Sequence, residues 1–197
     1  MPRAAGRARG RIDDADGGGA PRVQPKTMRW RPAYVGIGSN LEDPVLQVRR
    51  ALDALATLPE TQLTRRSSLY GSEPLGPPAQ PRYVNAVAAL LTQCELQPFF
   101  DHLRALERQL GRQSARVRWG PRLIDLDLLM FAQQRSAAAE LTLPHPGIVQ
   151  RNFVLYPLRE VAPELDVPGC GRVAWLAARV DPTGIWRLKD EMITHGA

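Results

Sequence analysis

The sequence predicts one α+β domain in which helices pack on an antiparallel sheet, and two observations lead to this class. Several short segments are rich in β-branched and aromatic residues, as strands are. Two longer segments repeat apolar residues every three or four positions, as amphipathic helices do. In chain order these segments read strand, helix, strand, strand, helix, strand, which is the ferredoxin-like βαββαβ arrangement.

The first half of the pattern has clear start and stop signals. Residues 33–38 predict a short buried strand, and Asp43 then provides an N-cap with Pro44 at the first helical position. We expect this helix to end at Pro59. Two further strands are predicted at residues 63–70 and 83–91, joined by an irregular loop over residues 73–81, which contain four prolines.

The second half continues with a helix over residues 98–110, which Gly111 ends as a C-terminal glycine. The strand that follows is predicted at residues 123–131. Beyond it, the sequence predicts a short strand near Leu141, helical turns over residues 148–160 and a helix at 173–179.

Positive charge is concentrated at the N-terminus. Residues 1–31 hold eight basic and three acidic residues, a net of +5, which leaves +1 for the rest of a chain whose total is +6. This segment has few apolar residues, so we expect residues 1–31 to form a disordered basic extension and 32–197 the folded domain. Nucleic acid would then bind nonspecifically at most, through this extension.

Two classes of protein are excluded by composition. No apolar run approaches 18 residues, so the sequence predicts no membrane span, and we expect a cytoplasmic protein. Cys94 and Cys170 are too few for a disulfide framework and lack the spacing of a zinc site.

Two aspartates are the strongest chemical signal. Because side chains alternate along a strand, Asp125 and Asp127 are expected on one face, about 6–7 Å apart. Two carboxylates this close require a positive partner. An arginine could supply it, or a divalent cation could, since Mg²⁺ typically binds one or two carboxylates together with substrate phosphates.

An arginine-rich loop precedes these aspartates and contains Arg112, Arg118 and Arg122. Arginines beside metal-binding carboxylates suit phosphoryl transfer, in which charge develops on several oxygens. The alternative is a solvated basic loop that pairs with the two aspartates. Trp119 within the loop favours either a core position or a planar ligand.

His145 lies between Pro144 and Pro146, which predicts a fixed, exposed turn and favours a ligand contact over a core position. The glycine-containing segment at residues 36–41 matches neither of two known nucleotide-binding loops. Residues 36–41 lack the third glycine of a dinucleotide-binding loop and the Gly-Lys-Ser/Thr of a P-loop. Any ATP would therefore be held by arginine and metal.

With these residues in place, the chain resembles the 6-hydroxymethyl-7,8-dihydropterin pyrophosphokinase family of folate biosynthesis, from about Tyr34 to Leu165. The most specific segment is Arg118-Trp119-Gly120-Pro121-Arg122-Leu123-Ile124-Asp125-Leu126-Asp127. Other matching segments are Gly36-Ile37-Gly38-Ser39-Asn40-Leu41, Ser67-Ser68-Leu69-Tyr70, Pro74-Leu75-Gly76, Tyr83-Val84-Asn85-Ala86, Leu143-Pro144-His145-Pro146 and Arg151-Asn152-Phe153-Val154-Leu155.

The resemblance implies a kinase that transfers diphosphate from ATP to the pterin hydroxymethyl group and releases AMP. It implies Arg112, Arg122, Asp125 and Asp127 as catalytic residues, with the two aspartates holding two Mg²⁺ ions. The implied pterin site comprises Ser72, Pro74, Leu75, Tyr83, Asn85, Trp119 and Phe153. The implied ATP site comprises Glu107, Arg112, Trp119, Arg122, Leu128, Thr142, His145 and Arg151. We expect a monomer with these two small-molecule partners.

Two other classes remain open from the sequence. An RNA-binding module could share the fold, although no aromatic-rich RNP-type strand is present. A catalytically inactive pterin-binding relative is also possible, although it would be expected to have lost one of the aspartates or arginines.

Overall fold

The chain folds around a six-stranded antiparallel sheet, seen in a computed structural model that describes residues 29–76, 80–111 and 120–189. The strands are β1 (Arg31–Ser39), β2 (Thr61–Arg66), β3 (Tyr70–Ser72), β4 (Tyr83–Thr92), β5 (Asp125–Phe131), β6 (Ser136–Ala138), β7 (Leu141–Leu143), β8 (Asp166–Val167), β9 (Gly171–Arg172) and β10 (Ile185–Arg187). The helices are α1 (Pro44–Leu55), α2 (Leu96–Gln109), α3 (Asn152–Val161) and α4 (Val173–Ala177), with a 3₁₀ turn at Pro146–Val149.

The strand order confirms the predicted fold class. The main sheet runs β10-β3-β4-β1-β5, with β2 also paired to β4, while β6 with β7 and β8 with β9 form two small separate sheets. Apart from β10, this is the ferredoxin-like order, because the two parallel members of each βαβ unit are separated by an antiparallel strand.

The prediction of a single strand at residues 63–70 is wrong in one respect, because the structure has two strands there, β2 and β3. Arg66 lies opposite Ala88 and Tyr70 lies opposite Asn85. The chain therefore advances four residues from Arg66 to Tyr70 where β4 advances three. Ser67 keeps the chain on β4 across this irregularity: its amide donates to the Val87 carbonyl, and its hydroxyl accepts from the Val87 amide, both at 2.9 Å.

The helix ends are decided by local hydrogen bonds. Asp43 caps α1 as predicted, accepting from the Leu46 amide at 3.1 Å, with Pro44 at the first helical position. The helix ends at Leu55 rather than at Pro59, because the Ala56 amide closes a tighter turn onto the Asp53 carbonyl.

The second helix starts two residues before the predicted position. Pro98 is in the first turn of α2, where an amide hydrogen would have no intrahelical acceptor, so it does not interrupt the helix. Gly111 ends α2 with a φ of 90°, as predicted. Among the helices within the described ranges, none is long and apolar enough to cross a membrane.

The sheet separates two apolar clusters. Ala33, Val35 and Ile37 of β1 are buried in a cluster with α1 and α2. On the opposite face, α3 and α4 pack with Val87 and Leu129 in a second cluster. The alternation of β1 places Gly36 and Gly38 on this second face, where they line a cavity.

Arg31, which the sequence analysis placed at the end of the extension, belongs to β1, where it pairs with Thr92 and forms an ion pair with Glu95. Residues 1–28 lie outside the described ranges.

Candidate active site

Two glycines form the floor of a cavity on the second face of the sheet, which we call the sheet cavity. Gly38 lies between Asn85 of β4 and Asp125 of β5, and Gly36 lies between Val87 and Asp127. Because neighbouring strands are about 4.8 Å apart, the missing side chains leave an open strip between the flanking residues. The sheet cavity is lined by Gly36, Gly38, Ser72, Glu73, Leu75, Tyr83, Asn85, Arg122, Asp125, Asp127, Leu129, Arg151 and Phe153, among others.

One end of the sheet cavity is polar and rigid. Asn85, 5% exposed, donates through Nδ2 to the Ser72 hydroxyl at 2.9 Å and to the Tyr70 carbonyl at 3.4 Å. Its Oδ1 lies near Gly38, 3.5 Å from where a Cβ would stand. The amide is therefore fixed, with its acceptor oxygen beside the open strip.

Aromatic side chains line the same cavity. Tyr83 and Phe153, both half-buried, come from the start of β4 and the start of α3. The Tyr83 hydroxyl donates to the Gly120 carbonyl at 3.3 Å, and burial raises the pKa of this phenol. Arg151 stacks against Phe153, with its guanidinium carbon 5.8 Å from the ring centroid.

Asp125 and Asp127 share a face, as the strand alternation predicted, and both line the sheet cavity. Of the two positive partners left open by the sequence, an arginine is present at Asp125: Arg122 donates to its Oδ2 at 2.6 Å. Burial, and secondly the charge of Asp125, raises the pKa of Asp127 to about 7. Asp127 is thus a carboxyl that additional positive charge would stabilise in its ionised form.

A buried asparagine connects the chain segments around the carboxylates. Asn40, 1% exposed, accepts from the Arg122 amide at 2.7 Å and donates to the Pro81 carbonyl at 3.2 Å. Its own amide donates to the Arg122 carbonyl at 3.1 Å. The entries to β4 and β5 are therefore tied to the end of β1, a role that the sequence analysis did not identify.

A second cavity, which we call the edge cavity, lies beside β5 at the end of the sheet. Three of the residues implied for ATP binding line it: Leu128, Thr142 and His145. It is lined further by Phe100, Arg104, Leu126, Glu140 and Pro146. Asp127 lines both the sheet cavity and the edge cavity, so the two cavities approach each other at this residue.

His145 differs from the exposed turn that its flanking prolines predicted. It is half-buried and caps the 3₁₀ turn, with Nδ1 accepting from the Gly147 amide at 3.0 Å. Burial, and secondly the charge of Arg151, lowers its pKa, so the ring is neutral at pH 7. Since Nδ1 is an acceptor, the proton of the neutral ring is on Nε2, which makes that atom a donor.

Glu107, implied for ATP binding, lines neither cavity. Its side chain is 2% exposed on α2, and Oε1 accepts from the Leu126 amide at 2.6 Å. It therefore supports β5 from behind, and its charge contributes to the raised pKa of Asp127.

The remaining implied residues divide into three groups. Arg122, Arg151, Ser72 and Leu75 line the sheet cavity, and Leu75 is 52% exposed at its rim. Pro74 is described but is not part of that lining. Arg112 and Trp119 lie outside the described residues, as does the loop between them.

The donor set suits a hard cation. Asp125 and Asp127 provide carboxylate oxygens on one face, which is the ligand type that Mg²⁺ takes. Within the described ranges, no group of three or more His, Cys, Asp or Glu side chains could hold a metal ion. Two carboxylates would therefore need water or substrate oxygens to complete the coordination of Mg²⁺.

The fold is similar to that of several solved chains. Wild-type Plasmodium falciparum HPPK-DHPS matches 77% of this chain with a TM-score of 0.58 and 10% identity. A double variant of that protein with pterin and p-hydroxybenzoate matches 79% with a TM-score of 0.61 and 13% identity. This chain spans less than half of the length of both, 45% and 44%. At such identities the similarity establishes the fold alone.

Sequence comparison gives nearer relatives, each described as a 2-amino-4-hydroxy-6-hydroxymethyldihydropteridine pyrophosphokinase. The Pseudomonas aeruginosa protein is 46% identical over 155 residues, 79% of this chain and 95% of the relative. The Haemophilus influenzae protein is 43% identical over 136 residues, 69% of this chain and 84% of the relative. The Bacillus subtilis protein is 33% identical over 159 residues, 80% of this chain and 91% of the relative.

The model of a protein family matches residues 34–163, a segment that contains Gly36, Gly38, both aspartates and the linings of both cavities on β4, β5 and α3. The chain belongs to the 7,8-dihydro-6-hydroxymethylpterin-pyrophosphokinase (HPPK) family.

Proposed function

We propose that this protein transfers the β,γ-diphosphate of ATP to the hydroxymethyl oxygen of 6-hydroxymethyl-7,8-dihydropterin and releases AMP. The observation that carries the proposal is the position of Asp127, which lines both cavities. A transfer between two bound molecules requires their reacting ends to meet at a charged group that can organise phosphate oxygens.

The sheet cavity suits the pterin. Its glycine floor and the rings of Tyr83 and Phe153 offer apolar surfaces for a planar heterocycle. At its polar end, the Asn85 amide hydrogens are engaged with Ser72 and Tyr70, which leaves Oδ1 to accept from the N–H groups of the pterin edge.

The edge cavity suits the nucleoside part of ATP. Leu128 and Phe100 supply apolar surface, while the Thr142 hydroxyl and His145 Nε2 supply polar groups for a sugar or base. The triphosphate would extend from there across β5 towards Asp127. Arg122 and Arg151, which line the sheet cavity, would neutralise its charge together with Arg112.

In the reaction, the hydroxymethyl oxygen forms a bond with the β-phosphorus of ATP. The bond from that phosphorus to the oxygen retained by AMP breaks, and the hydroxyl proton is released. Asp125 and Asp127 would hold two Mg²⁺ ions, which supply positive charge to the phosphate oxygens. Arg122 would exchange its contact with Asp125 for a phosphate oxygen, since guanidinium forms charge-assisted hydrogen bonds with carboxylates and phosphates alike.

The same proposal covers assembly and location. We propose that the protein acts as a monomer. ATP as co-substrate favours the cytoplasm. We assign the catalytic function to residues 32–197 together with Arg31, and no catalytic role to the basic extension.

The test is AMP formation from ATP and Mg²⁺ with and without the hydroxymethyl pterin, followed by separation of AMP, ADP and the pterin product. AMP and a pterin diphosphate should form in equal amounts, and only when the pterin is present. A pterin with a methyl group in place of the hydroxymethyl group is the matched control and should give no AMP. ADP as the product, or AMP formed equally without pterin, would contradict the proposal.

A further inference from the structure

Residues 181–187, near the end of the described ranges, contact both sides of the sheet cavity. They lie outside residues 34–163, which match the family model, and consist of a turn followed by β10 at the edge of the sheet. The turn is closed by Asp181, whose Oδ1 accepts from the Thr183 amide at 2.9 Å and from its hydroxyl at 2.7 Å. We call residues 181–187 the terminal segment.

On one side the terminal segment is bound to the start of α3. The Asn152 side-chain amide donates to the carbonyls of Asp181 and Thr183, both at 2.9 Å. Asn152 lies between Arg151 and Phe153, which both line the sheet cavity. Its two hydrogen bonds therefore fix the part of α3 that carries this wall.

On the other side the terminal segment is bound to β3 and the residue that follows it. Ile185 pairs with Ser72, and the Gly184 carbonyl accepts from the Glu73 amide at 2.9 Å. Ser72 and Glu73 line the opposite wall of the sheet cavity. The distance between the two walls is therefore spanned by one short piece of chain.

Trp186 anchors this connection. Its indole packs against Gly71, where a Cβ would stand only 2.3 Å from the ring, so the packing requires glycine. The Arg82 guanidinium lies over the ring, 5.2 Å from the centroid, and its Nε donates to the Glu73 carboxylate at 3.0 Å. Trp186 thus contacts both chain segments that flank the wall formed by Ser72 and Glu73.

We propose that the terminal segment is a positioning element for the pterin, which sets the separation of the two walls of the sheet cavity through Trp186 and Asn152. This rests on the proposed function. It predicts a larger effect on the pterin than on the nucleotide, because β10 is at the β3 edge of the sheet and the edge cavity is beyond β5, at the opposite edge. Loss of the anchor should weaken pterin binding much more than nucleotide binding, for which Arg151 is the one proposed ATP-binding residue on the two walls.

The experiment measures pterin and ATP-analogue affinities separately by calorimetry for Trp186→Ala and Trp186→Phe. We expect the pterin Kd of Trp186→Ala to rise about tenfold, since displaced walls lose near-optimal contacts, while the analogue Kd changes less than about twofold. Trp186→Phe retains a flat ring on Gly71 and should recover most of the affinity. The matched control is Trp175→Ala, which removes an exposed indole stacked on Arg179 on a helix outside both cavity linings.

Asn152→Ala removes the other anchor and changes no residue of β10. If Trp186→Ala fails to fold, this variant tests the proposal by itself. It should also raise the pterin Kd and KM while kcat at saturating pterin stays within about threefold, because the reacting groups are intact. Unchanged pterin affinity in the folded variants would overturn the inference, as would an equal loss of pterin and nucleotide affinity. Absence of AMP formation by the wild-type protein would instead contradict the proposed function.

Discussion

Replacing Asp127 by asparagine is expected to stabilise the metal-free protein and to abolish its activity. Asp127 is a carboxyl whose pKa is raised to about 7, first by burial and then by the charge of Asp125. In the unfolded chain its pKa is 3.8. Between these values the folded protein binds more protons than the unfolded chain, so this group makes the free energy of unfolding fall as pH rises.

The size of the effect follows from the same values. The difference between 3.8 and about 7 corresponds to about 4 kcal/mol above pH 7, since each pKa unit is worth about 1.4 kcal/mol. Water entering the sheet cavity would screen part of this, so we expect a gain of about 1–3 kcal/mol for Asp127→Asn at pH 8. Below about pH 3 the wild-type carboxyl is protonated in both states and the gain should vanish, and at pH 4.5 the gain should be about a quarter of that at pH 8.

Urea unfolding in EDTA at pH 4.5 and pH 8 provides the measurement. A gain of this size would also raise the Tm at pH 8 by about 2–4 °C per kcal/mol for a chain of this length. Asp166→Asn is the matched control, because Asp166 is exposed on β8 and outside both cavities. It should show no such pH-dependent gain.

Activity supplies the other half of the prediction. Turnover of Asp127→Asn with Mg²⁺ should fall by at least about 10³, the range for losing a group that stabilises transition-state charge. Mg²⁺ should stabilise the wild-type protein more than the variant. Equal stability of the two proteins at pH 8, or turnover near the wild-type value, would refute the reasoning.

Three further predictions concern the floor of the cavity, the extension and the order of binding. Gly38→Ala should fold normally, because its Cβ would meet only Asn85 Oδ1 at 3.5 Å. The added methyl group should occupy the floor of the sheet cavity and raise the pterin Kd at least about tenfold. Normal pterin affinity in calorimetry would contradict this. A chain beginning at Arg29 should keep its turnover and Tm and lose any salt-sensitive retention on a nucleic-acid column; loss of turnover would place the extension in the site. Arg122 is bound to Asp125 until a phosphate group competes for it, so Mg²⁺ with an ATP analogue should bind first and strengthen pterin binding by about 1–3 kcal/mol. Equal pterin Kd values with and without the analogue would exclude this coupling. With Trp30, Trp175 and Trp186 replaced by phenylalanine, Trp119 fluorescence should change when the analogue binds, and no change would contradict the implied place of Trp119 in the ATP site.

Local signals in the sequence predicted the order of the helices and strands and the placement of two carboxylates on one face of β5. Asp43 and Pro44 set the start of α1 through hydrogen bonding within a single turn, which is readable from four residues. Asp125 and Asp127 had to share a face because strand side chains alternate. Both features depend only on near neighbours, so the sequence by itself determined them.

Tertiary structure decided which of these residues meet. The alignment of Asn85, Gly38 and Asp125 across three strands is a matter of register between segments far apart in the chain. The burial of Glu107 behind β5 likewise depends on how α2 packs. Residues 181–187 carry no periodic pattern long enough to predict β10, because its three residues are held by contacts with β3 rather than by their own propensity. The sequence thus identified the carboxylates and arginines of the site, and the pairing of strands far apart in the chain placed Asp127 where the two cavities approach each other.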